Sequence, residues 1–190
     1  MAFLKRNSCA AARRRHCCAT ASLVMLAAAS SQQAFAQDTV EYEVKAAYLV
    51  KFAPFIEWPD GAFPSASAPL TICVAGSDPF GPLLDRAAAG QHDGERTVTI
   101  RRLAAPDAGC QVLFAGGDDQ AVENELAAVK DRPILTVTDS GIRPHGIISF
   151  ALIGNHVRFD IDETAADAVS IRISSKLLEL AHAVKQGARR

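Results

Sequence analysis

Apolar residues Val40, Val44, Ala47, Tyr48, Phe52 and Phe55 recur at helical spacing, which predicts an amphipathic helix over residues 39–53. Pro54 and Pro59 punctuate it, and the stretch GAFPSASAP (61–69) reads as a loop by composition. The run LTICVA (70–75) is short and unbroken, as in a strand covered on both faces. Gly76-Ser77-Asp78-Pro79 follows, where Asp78 is placed to cap a helix and Pro79 to begin it; that helix runs to about Ala89 with Leu83, Leu84 and Ala87 inward. Thr97 to Arg101 alternates as the next strand, and Gln111 to Ala115 is a third. Gly116-Gly117-Asp118-Asp119 then leads into a helix with Val122, Leu126 and Val129 on one face. Pro133 to Thr138 is a fourth strand. Ile147 to Ile153 and His156 to Ile161 are two more, and the Gly154-Asn155 pair between them predicts a tight hairpin. A helix from about Ser174 closes the chain, with Leu177, Leu178, Ala181 and Val184 inward. This order predicts one α/β domain, a three-layer sandwich whose mostly parallel sheet ends in an antiparallel hairpin at one edge.

The first residues change the picture of where such a domain works. Lys5, Arg6, Arg13, Arg14 and Arg15 precede the apolar run ATASLVMLAAA (19–29), no acidic residue occurs before Asp38, and Ala34-Phe35-Ala36 has the small-x-small pattern of a cleavage site. Residues 1–36 therefore read as a secretory signal peptide, cut after Ala36, with 37–190 the exported domain. The apolar run is too short to span a bilayer. Export would remove five of the 20 basic residues and none of the 21 acidic ones, leaving a net charge of −6. That balance makes a poor binder of nucleic acid or anionic membrane. Cys9, Cys17 and Cys18 would leave with the leader, so only Cys73 and Cys110 remain. Two cysteines in an oxidising compartment suggest a disulfide.

Candidate chemistry is sparse. The turn Gly76 to Gly81 has the outline of a phosphate loop, but Pro82 and Leu83 stand where Lys and Ser or Thr would be needed. What is left is a turn with exposed amides, either an ordinary cap or a resting place for a small anion near Gly76 and Ser77. The histidines are scattered without an i,i+4 pair and neither cysteine belongs to a C-x-x-C, so no metal site and no cofactor is expected. Asp160, Asp162 and Glu163 form either a calcium-binding cluster or a solvated turn in which Asp162 caps a helix. No G-x-S-x-G, H-E-x-x-H or S-x-x-K occurs, which argues against an enzyme. Cys73 lies in the first long strand and Cys110 one residue before the third, so adjacent parallel strands would bring them together. A structural bond there is worth about 3 to 4 kcal/mol; the other reading is a redox-active pair. Trp58, the lone tryptophan, sits just past the first helix, either as core or as a rigid anchor for a partner or ligand.

The segment VKAAYLVKFAPFIEWP (44–59) resembles the opening signature of YfiR-like proteins. Further matches are LTICV (70–74) with DPFG (78–81), GCQVLF (109–114), ILTVTD (134–139), VRFDI (157–161) and ISSKLL (173–178). The resemblance implies a periplasmic, non-enzymatic and dimeric regulator. Such a protein binds the periplasmic sensor domain of an inner-membrane diguanylate cyclase, represses it, lowers cyclic-di-GMP and so restrains biofilm, and is itself sequestered by an outer-membrane lipoprotein. It implies that Cys73 and Cys110 match a family cysteine pair, and it places partner contacts towards the C-terminal part, at Glu163, Ile171 and Arg172. The chain lacks the second cysteine pair that some members carry after the fourth strand, so redox control is not implied. The competing functions are a periplasmic small-molecule sensing module, using Trp58, Gly76 and Ser77 and coupled to another receptor, and an exported enzyme.

Overall fold

The computed structural model describes residues 39–187; the expected signal peptide and its cleavage point after Ala36 lie outside the described residues. Helix α1 covers residues 39–51 and is followed by a 3-10 turn, Ala53–Phe55, so the helix expected to run to residue 53 stops earlier. Pro54 lacks the amide that another α-helical turn would need. The strands are β1 (Ile56–Glu57), β2 (Leu70–Gly76), β3 (His92–Asp93), β4 (Arg96–Leu103), β5 (Val112–Gly116), β6 (Leu135–Thr138), β7 (Ile148–Ile153), β8 (His156–Asp162), β9 (Arg172–Ile173) and β10 (Ala183–Lys185). The remaining helices are α2 (Pro82–Ala88), α3 (Asp119–Ala128), α4 (Glu163–Ala168) and α5 (Ser175–Leu180).

Eight strands form one open sheet in the order β10-β8-β7-β6-β5-β2-β4-β3, and β1 pairs with β9 in a separate two-stranded ribbon. The central pairs β4-β2, β2-β5, β5-β6 and β6-β7 are parallel, and β7-β8 is the antiparallel hairpin. This is the expected α/β class with its mostly parallel sheet. Side chains alternate between the two faces of each strand, so Leu70, Ile72 and Val74 join one cluster while Cys73 and Ala75 join another. The larger cluster is covered by α1 (Ala46, Leu49) with Phe52 just after it, α2 (Leu84, Ala88), α4 (Ala166) and α5 (Leu177). On the opposite face α3 packs against β5 and β2, and Val129 and Ile134 close a small cluster with Cys73, Cys110, Ala75 and Leu113.

Three local expectations change. Helix α2 begins at Pro82, with Gly81 as its N-cap, instead of at Pro79. Asp78 bonds the amides of Phe80 (2.8 Å) and Gly81 (3.1 Å), closing a turn before the helix instead of capping it. In α3 the buried positions are Val122 and Glu125, and Leu126 is only half-buried. The closing helix is a six-residue piece, Ser175–Leu180, after which the chain becomes β10; Ala181 and Val184 are therefore not on a helix. Beyond Leu180 the free edge of β8 takes up the backbone: the His182 amide donates to the Phe159 carbonyl (2.8 Å) and Ala183 lies opposite Asp160. The β7-β8 hairpin is thus one strand in from the edge of the sheet.

Candidate functional site

Two of the surface depressions among the described residues hold the candidate residues, Trp58, Ile171 and Arg172 in one and Ser77 in the other. The first is built by the β1-β9 ribbon. Helix α4 ends at Ala168 with Val169 as its C-cap, Ser170 turns the chain with a left-handed φ of 60°, and the Ile171 amide returns to the Ala166 carbonyl (3.0 Å). Ile171 is fully buried as the anchor, and Arg172 emerges opposite Glu57. The resulting cleft of about 480 Å³ is lined by Glu57, Trp58, Asp60, Asp167, Ile171 and Arg172, among others. The Arg172–Glu57 ion pair is loose, 3.9 Å between side chains that are 81% and 73% exposed. Trp58 meets Phe63 edge-to-face with ring centroids 6.0 Å apart, and Arg96 lies 3.8 Å over the other ring's centroid while bonding the Ser65 and Ala68 carbonyls. The Trp58 indole nitrogen is buried with no hydrogen-bond partner among the described residues.

The second depression, about 400 Å³, lies at the carboxyl ends of β2, β5 and β6 and is lined by Tyr42, Ser77, Phe114, Gly117, Asp118 and Asp139, among others. Here the chain leaves β2 for β4 on one side and returns to β5 on the other, the switch point where open α/β sheets place ligands. Its charges are already engaged. Lys45, on α1 and fully buried, bonds both Glu41 and Asp139, and the Tyr42 hydroxyl donates to Asp139 (3.0 Å). Asp118 caps α3 by accepting from the Ala121 amide (2.9 Å). Ser77 donates its amide to the Gly116 carbonyl (2.9 Å), and a Cβ on Gly76 would strike that carbonyl and the Glu125 carboxylate. Burial pushes the Glu125 carboxyl up to about 7, against a smaller opposing effect of the Gly116 amide.

The structure thus brings Trp58, Ile171 and Arg172 to one cleft and leaves Glu163 outside its lining. Glu163 opens α4, behind the cap in which Asp162 accepts from the Ala165 amide (3.0 Å). Asp162 also pairs with Lys185 (2.8 Å), so its carboxylate serves a helix cap and a strand contact. Gly76 and Ser77 belong to the other depression. Cys73 and Cys110 are joined by a disulfide with Cα atoms 5.7 Å apart, buried in the small cluster. Among the described residues no group of three or more His, Cys, Asp or Glu stands where it could hold a metal ion, and no helix is long and apolar enough to cross a membrane.

Lys45, Asp139 and Glu125 were not singled out from the sequence. Two had a visible signal: Lys45 falls at helical spacing with Leu49 and Phe52, and Glu125 with Val122 and Val129, so both are charges on apolar stripes. Against known proteins, the family model DUF4154, described as YfiR/HmsC-like, matches residues 42–182. A search of curated proteins finds no match.

Proposed function

Because the chain belongs to the YfiR/HmsC-like family, which is regulatory, non-catalytic and periplasmic, we propose that it represses an inner-membrane diguanylate cyclase by binding its periplasmic sensor domain, lowering cyclic-di-GMP. The family implies a signalling partner in a cyclic-di-GMP system. The observation that carries the finer reading is the cleft at β1-β9. It combines the face of a half-buried indole, a guanidinium held only loosely and exposed carboxylates, of which the charged groups are free to pair with a protein partner. Residues 1–36 act in this account as a leader cut after Ala36. A homodimer is its working form, Glu163 extends the contact surface beyond the cleft, and an outer-membrane lipoprotein competes for the same surface.

The test is a pull-down from solubilised envelope with residues 37–190 as bait. The wild-type domain retains a diguanylate cyclase and Arg172→Glu releases it, while both show the same thermal unfolding; a wild-type bait that retains no such enzyme defeats the proposal. A second reading, a small-molecule sensing module coupled to another receptor, is favoured by one observation, the depression beside Gly76 and Ser77 at the sheet's switch point. Thermal shifts with small anions and aromatic acids test it, and a flat response across both sets removes it.

A further inference from the structure

Glu125 is the one buried carboxyl among the described residues with an unpaired oxygen: the residue is 9% exposed, the Gly116 amide donates to its carboxyl group, and Oε2 has no hydrogen-bond partner. It projects from α3 against the point where the ends of β2 and β5 meet. Only glycine fits there, because a Cβ at Gly76 would strike the Glu125 carboxylate and one at Gly116 would strike the Ser77 carbonyl. The two strand ends are closed by the bond from the Ser77 amide to the Gly116 carbonyl (2.9 Å). A buried carboxylate with an unsatisfied oxygen costs more than the neutral acid, whose unpaired hydroxyl carries the smaller penalty of a neutral polar group. No counter-charge relieves it. The strands packed against α3, β2 and β5, carry no titratable side chain other than the bonded Cys73. On and before α3, Asp118, Asp119 and Glu123 are exposed, and Asp78 beyond β2 is held by Arg102 (2.7 Å).

We propose that Glu125 is a proton-operated latch: as the neutral acid it seats α3 on the joined ends of β2 and β5, and loss of its proton to solvent unseats α3 and loosens the Ser77–Gly116 closure beside the switch-point depression. This device is independent of the partner cleft. The raised titration of Glu125 places the transition near neutrality, within reach of an exported protein.

Amide exchange at Ser77 and Gly116 in the oxidised mature protein tests it, with rates corrected for the intrinsic effect of pH. Between pH 5.5 and pH 8.5 the wild-type protection factors at these two amides fall at least about tenfold, and in Glu125→Gln they change less than about twofold. An equal fall in Glu125→Gln, or no fall in the wild type, overturns the latch. Carbon NMR of the Glu125 carboxyl gives a readout that needs no variant. A midpoint near neutrality that coincides with shifts of the Ser77 and Gly116 amides supports the latch, and a midpoint in the usual carboxylate range overturns it.

Discussion

The two depressions differ in what their polar groups are already doing. At the switch point the charges that line the depression have partners inside the molecule: Lys45 with Glu41 and Asp139, Asp139 with Tyr42, Asp118 with its own helix; only Glu125, behind the lining, keeps a buried oxygen unpaired among the described residues. At β1-β9 the charges of Glu57, Asp60, Asp167 and Arg172 are exposed and the ion pair between Glu57 and Arg172 is loose. Surface ion pairs contribute little to stability and buried ones strongly resist being broken. The first region therefore reads as structure and the second as surface left for another molecule.

Substitutions sharpen that contrast in a graded order. Asp139→Ala leaves the buried Lys45 ammonium with Glu41 alone and costs about 3 to 5 kcal/mol in urea unfolding; a loss below about 1 kcal/mol would contradict a structural role for Asp139. Replacing both Cys73 and Cys110 by serine opens a loop with a sequence separation of 37 and lowers stability by about 3 to 4 kcal/mol, read in the same assay. The effect falls on the thinly covered face, where the apolar cluster is smallest. Glu125→Gln acts through pH. The folded acid titrates near 7 against an ordinary value of 4.5, so its stabilisation is complete below 4.5 and lost as pH rises through 7. At pH 8 the glutamine variant is the more stable by about 3 kcal/mol, and at pH 4 the two unfold alike. Arg172→Glu changes the unfolding free energy read in urea by less than about 0.5 kcal/mol, because the side chain is exposed and its ion pair long.

Much of this was legible in the sequence because periodicity and burial coincide. The unbroken run at Leu70 and the Gly154-Asn155 turn gave the central strand and the hairpin directly, since each depends on local pattern. The helix opening at Ser174 was legible as well, but the chain after Leu180 was not. Leu177, Leu178, Ala181 and Val184 keep helical spacing, but the open edge of β8, formed far away in sequence, draws Ala183–Lys185 into the sheet. Position 125 failed for a related reason. Leu126 is the more apolar residue, yet the direction in which α3 approaches β2 and β5 turns Glu125 inward. The β1-β9 ribbon has only two residues per strand, too short for any alternation, and without it Trp58 and Arg172 are 114 positions apart with nothing to connect them.

The most direct test of a surface-acting regulator is the cyclic-di-GMP level in a strain lacking the gene, complemented with wild-type protein or with Arg172→Glu. The account predicts a rise on deletion, a return to the parental level with the wild-type copy, and no return with an equally abundant, oxidised Arg172→Glu. Levels that stay at the parental value in the deletion strain would contradict it.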